Sequence, residues 1–145
     1  MTKIIILSFA SIFAATYASA QAVQKVTVTN AWIRALPSGL PAGGYFTMKN
    51  GGDKKIALTG ASSPACGMLM FHKSETNNGT ATMDDMPSVD VPPHGSFSFA
   101  PGGYHLMCMN PAPLLKPGAR VPVALEFDDH SHMSVTFEVK NAAGK

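Results

Sequence analysis

The sequence predicts one all-β domain, a sandwich or Greek-key barrel of about eight or nine short strands. Three observations predict it. Short runs rich in Val, Ile, Thr and Phe recur along the chain, as the strands of a half-buried sheet require. Turn formers separate them, with 13 Gly and 11 Pro in 145 residues, the punctuation of small antiparallel sandwiches and barrels. After the first twenty residues no helical period is sustained, so no helix is expected. The length suits a single hydrophobic core.

Residues 1–20 stand outside that domain. Lys3 is a minimal basic start, Ile4 to Ala15 is a twelve-residue apolar run, and Ala18-Ser19-Ala20 is a small-x-small cleavage signal. This reads as a cleaved secretory signal peptide, leaving a domain over 21–145 that begins at Gln21. The run is too short to span a bilayer comfortably, and no other segment approaches spanning length. Gln21, not a cysteine, stands directly after the cleavage site, so a lipoprotein anchor is not expected. An exported, periplasmic protein without stable membrane insertion is. Without Lys3, ten basic side chains face nine acidic ones, a formal charge of +1. That scattered balance argues against nucleic acid as a partner.

Lys25 to Arg34 alternates as a first strand, with Trp32 its largest side chain. Leu36 to Ala42, with two prolines and a glycine, is a loop. Gly43 to Asn50 and Lys55 to Thr59 are strands joined by Asn50-Gly51-Gly52-Asp53, a hairpin signal. Ala61 to Gly67 is a turn-rich connection containing Cys66. Met68 to Lys73 is a strand, Glu75 to Gly79 a polar tip, and Thr80 to Met83 a returning strand. Asp84 to Pro93 reads as irregular, Ser96 to Ala100 as a short strand. Pro101-Gly102-Gly103 then launches a strand over Tyr104 to Met109. Val121 to Phe127 and Ser134 to Lys140 form a closing hairpin with its tip at Asp128 to Met133.

Two of these strands carry the chemistry. Side chains alternate faces along a strand. Met68, Met70 and His72 therefore share one face, and His105, Met107 and Met109 share another. Eight methionines in the domain are well above ordinary usage. Imidazole beside thioether is an N/S donor set suited to a soft ion such as Cu(I). Taken singly, each methionine is core filler and each histidine an ordinary polar residue at a strand end. What distinguishes them is spacing: His72, ten residues, Met83, twenty-one residues, then His105-Leu106-Met107.

That spacing, His-x10-Met-x21-His-x-Met, resembles without a gap the signature of the periplasmic copper chaperones called PCuAC. Ala31-Trp32-Ile33-Arg34-Ala35 is similar to the family's opening strand, Ala61-Ser62-Ser63-Pro64 to its mid-chain turn, and Pro101 to Met107 to its most recognisable segment. The resemblance implies a cupredoxin-like barrel or sandwich that binds one Cu(I) at an exposed site through His72, Met83, His105 and Met107. It implies carriage of copper in the periplasm, for assembly of the CuA centre of cytochrome c oxidase subunit II alongside a Sco-type thiol protein. A monomer is expected. Thioethers carry no proton and form no disulfides, and neutral donors near the surface favour exchange over permanent capture. Met68, Met70 and Met109 are either a shield around the metal or core packing. Met86 and His94 lie outside the pattern.

Cys66 and Cys108 depart from the family pattern. Export permits a disulfide, but sequence does not give their Cα separation. The His130-Ser131-His132-Met133 tip is the second departure, offering a weaker Cu(II) or accessory site as the alternative to a solvated turn. An electron-transfer blue-copper protein is a rival function, but it needs a thiolate with two histidines, and no histidine lies just after Cys108. Copper buffering at the same residues and a metal-free binding module on an Ig-like sandwich are the others. No paired carboxylates, activated nucleophile or phosphate loop argues for an enzyme.

Overall fold

The computed structural model describes residues 23–145; the signal peptide expected at 1–20 lies outside the described residues. The domain is built of ten strands: β1 (Val26–Arg34), β2 (Ala42–Asn50), β3 (Ile56–Ser62), β4 (Cys66–Asn77), β5 (Thr80–Met86), β6 (Val89–Val91), β7 (Ser96–Phe99), β8 (Tyr104–Pro111), β9 (Arg120–Phe127) and β10 (His132–Lys140). Single 3-10 turns at Val23–Lys25 and Pro37–Gly39 are the helical elements among the described residues. None of the helices there is long and apolar enough to cross a membrane.

The strands hydrogen-bond in the order β5-β4-β8-β2-β1-β10-β9-β3-β6, with β7 also on β2. β2 holds β8 along its first residues and β7 along its last. Strands far apart on this path, such as β4 (Leu69, Phe71) and β3 (Ile56, Leu58), contribute to one continuous core. The sheet is therefore folded over on itself, enclosing Phe46, Phe127, Phe137, Ile33, Leu58 and Leu106, each fully buried. Phe46 stacks on Phe99 with ring centroids 4.4 Å apart, a packing of large apolar area that dominates such a core.

Three expectations change. Asn50 to Asp53 does not make a hairpin: β3 pairs with β9 and β6, not with β2. The cause is Asn50, whose buried amide donates to the carbonyls of Lys54, Val91 and Pro92 and whose Oδ1 accepts from Gly52 N–H. These bonds fix a corner that carries the chain away from β1 and β2. The polar tip at Glu75 to Gly79 is mostly strand. β4 runs through Asn77 and turns at Asn78 and Gly79, both with φ in the left-handed region, the mark of a tight Asn-Gly hairpin. Asp84 to Pro93 is not irregular either: β5 continues to Met86 and β6 follows. The strand count is accordingly ten.

Candidate metal centre

The β8 strand is held between β4 and β2, and its register on β4 assembles the candidate residues. His72 lies opposite His105, Met70 opposite Met107, and Met68 opposite Met109. Their neighbours along the chain, Leu69, Phe71, Leu106 and Cys108, point the other way and are buried in the core. None of Met68, Met70, Met107 and Met109 belongs to that core or packs against it among the described residues. The methionines thus line the outer face, and the core-filler reading fails for them. Met48, by contrast, is fully buried.

The imidazoles meet edge to face, ring centroids 5.6 Å apart and planes at 83°. β5 adds two groups from its own outer face. Met83 Sδ lies 3.0 Å from His72 Nδ1, and Asp85 Oδ1 lies 2.7 Å from His72 Nε2. The Asp85 contact lacks hydrogen-bond alignment, so Nε2 is buried beside a carboxylate without a hydrogen-bond partner. A carboxylate at Nε2 favours the proton there, which leaves the Nδ1 lone pair on the side of the Met83 sulfur.

His105 is fixed from the turn before it. Its Nδ1 donates to the Gly103 carbonyl at 3.1 Å, and that oxygen also accepts the Ser74 N–H of β4. With Nδ1 holding the proton, Nε2 is the free donor atom. The turn that sets this up needs Gly102 in the left-handed region, at φ 83°, which a residue with Cβ adopts only at a cost.

Both histidines are only 7% exposed, whereas Met83 is 52% exposed, and Met107 is half-buried. The expected exposed site is corrected accordingly. The nitrogen donors are recessed, and only the Met83 thioether stands in solvent. β5 touches the core only through Met86: Thr80 to Asp85 are all exposed, and among the described residues β5 hydrogen-bonds only to β4.

On the opposite face, Lys73 pairs with Glu75 and lies 5.6 Å over the Tyr104 ring. The Glu75 hydrogen bond and charge raise the Lys73 ammonium above its ordinary range. Lys73 lowers the Glu75 carboxyl in return. Both side chains are 37% exposed, so the pair adds little stability.

Asp85 and the Gly103 carbonyl are the residues the sequence reading missed. Continuing β5 by two residues past Met83 would have placed Asp85 on the same face.

Cys66 and Cys108 form a disulfide, with Cα atoms 5.4 Å apart, and no free cysteine remains among the described residues. The disulfide leaves no thiolate for a blue-copper site. The second candidate site does not assemble. His130 turns at φ 61° and His132 is exposed at the start of β10. Met133, on the alternate face, packs against the core. Among the described residues no group of three His, Cys, Asp or Glu side chains is placed to hold a metal.

The comparisons agree with this architecture. A family model described as "Putative lipoprotein LpqE-like" matches residues 26–139. The protein "Putative lipoprotein Lxx21020" of Leifsonia xyli subsp. xyli is 36% identical over 132 residues, covering 88% of this chain and 79% of that protein. Among solved structures, the copper-bound PCuAC domain from PmoF2 superposes with a TM-score of 0.68 at 21% identity, over 81% of this chain and 93% of that domain. The CuI-DR1885 solution structure from Deinococcus radiodurans gives 0.66 at 30% identity, over 88% and 85%. The fold is that of these domains, all-β and cupredoxin-like.

Proposed function

The chain belongs to the LpqE-like lipoprotein family, and from that premise we propose that it is a copper chaperone. It binds one Cu(I) through His72, Met83, His105 and Met107. It works after export, in the periplasm, as a monomeric carrier without catalytic chemistry of its own. Its cargo goes to the CuA centre of cytochrome c oxidase subunit II, with a Sco-type thiol protein as co-worker.

One observation carries the reading. Two recessed imidazoles face each other across β4 and β8, with the Met83 sulfur against one of them. Core packing does not explain this set, because the methionine-lined face it shares points away from the core. A 30% identical protein of the same fold is described as its CuI form, which supports copper as the cargo. The donors are neutral thioethers and imidazoles, so Cu(I) binds without a proton having to leave a thioether ligand. The two imidazoles lie under cover and Met107 is half-buried, while the fourth, Met83, projects from a strand anchored on one side only. A ligand so placed can leave the metal first and let an acceptor ligand in.

The test is an anaerobic Cu(I) competition titration against a chromophoric chelator, wild type beside a His105→Ala/Met107→Ala variant. One tight equivalent, lost in the variant, is the expected result. Absence of tight binding, or tight binding that the variant retains, overturns the proposal. Transfer to an apo CuA domain then separates delivery from storage.

A further inference from the structure

We infer that the outer face of β4 and β8 carries a second soft-metal site, formed by Met68, Met70 and Met109, beside the His72–His105 pair. Nothing in the chaperone reading uses these three thioethers. Strand register puts Met68 directly opposite Met109, and Met70 opposite Met107. Directly paired side chains on a sheet have Cβ atoms about 5 Å apart, within reach for two long thioethers to meet at one ion. Residues two apart on a strand share a face about 7 Å apart, so Met70 stands between the upper pair and the histidine tier.

The surroundings keep this tier open. β5 pairs with β4 only from Phe71 onward, so no strand covers Met68 or Met70 from that side. On the other side, β2 begins at Ala42, opposite Cys108, and extends no further toward Met109. Met68 is 56% exposed, and Met70 and Met109 are half-buried. An apolar group that reaches solvent on an outer sheet face without packing on the core calls for a binding role. Here every member is a methionine, so the chemistry selects a soft, monovalent d10 ion over a hard or an anionic ligand. The nearby sulfurs of Cys66 and Cys108 are locked in the disulfide and do not compete. The site's existence stands on this geometry alone. Its role as the landing point from which Cu(I) passes by way of Met70 and Met107 to the histidines rests on the chaperone reading.

The experiment follows each methionine methyl by NMR in methyl-13C-methionine protein during titration with silver(I), a redox-inert stand-in for Cu(I). Two equivalents are expected to bind, the second, held by thioethers alone, more weakly than the first. One moves Met83 and Met107; the other moves Met68, Met70 and Met109. A Met68→Leu/Met109→Leu variant, which keeps volume on an exposed face, should take up only the first. A His72→Ala variant should keep the second, so failure of the histidine site and failure of the methionine site are read separately. Stationary Met68 and Met109 methyls through two equivalents of silver, or a second equivalent that survives the double leucine change, would overturn the inference.

Discussion

His72 and His105 occupy directly opposed positions on β4 and β8, with their ring centroids 5.6 Å apart and their planes at 83°. Each ring is oriented by a different device. Asp85 on β5 flanks His72, while the Gly103 carbonyl accepts from His105. Carboxylate and carbonyl partners of this kind set which nitrogen of an imidazole is free to donate.

In metal-free protein at neutral pH, long-range 15N correlation spectra should show His105 protonated at Nδ1 and bare at Nε2. The opposite tautomer would remove the basis for treating the Gly103 hydrogen bond as the orienting contact. Gly102→Ala strains the turn that presents this carbonyl and should cost about 1 kcal/mol or more. It should also weaken Cu(I) binding although residue 102 touches no donor atom.

Met83→Leu keeps the volume of an exposed side chain and deletes its sulfur. Thermal or denaturant unfolding should change by no more than about 0.5 kcal/mol. Cu(I) affinity should fall about tenfold or more, roughly 1.4 kcal/mol. Equal losses in both would mean that Met83 supports the hairpin instead of the metal.

The Cys66–Cys108 disulfide closes a separation of 42 residues and joins the two strands that carry the histidines. Replacing both cysteines by alanine should destabilise the domain by about 2–5 kcal/mol, measured by denaturant titration. Because Cys108 points into the core, the folded variant should still bind one tight equivalent of Cu(I) at the histidine site. A variant that stays folded but no longer binds copper would contradict this division of labour.

Asp53 should titrate below the ordinary carboxylate value near 3.8, first through its hydrogen bond to His94 and then through the charge of Lys25. A depressed carboxyl stabilises the fold above its ordinary range, and that contribution fades as pH falls through the lowered value. Its size is small because these groups are exposed. His94→Ala should move the Asp53 midpoint upward in a carboxyl NMR titration. An unchanged midpoint would show that the 2.9 Å contact does not persist in solution.

The parity of β4 and β8 was legible in the sequence because both strands alternate cleanly, burying Leu69, Phe71, Leu106 and Cys108. Placing His72 and His105 on the other face followed from that. The same alternation read the closing hairpin correctly, with Val135 opposite Val123. What could not be read was β5 beyond Met83. Asp84 and Asp85 are poor strand formers, and they extend here because β4 supplies a ready edge. Asn50 misled for a different reason. An Asn-Gly pair signals a hairpin only when its side chain is idle, and this one is spent on three carbonyls from elsewhere. The recessed position of the histidines was equally hidden, since cover from Met83 and Asp85 arrives from a strand the sequence shortened.

β1 lies parallel to β10, with Trp32 opposite Glu138 and Arg34 opposite Lys140, roughly a hundred residues later in the chain. A polypeptide made or threaded from its N-terminus presents β1 long before its partner exists. The centre of the sheet therefore closes last, and the loop entropy of that distant pairing slows folding. Until that final strand arrives, the run of strands from β5 to β1 is not joined to β9, β3 and β6, and the core they share stays open.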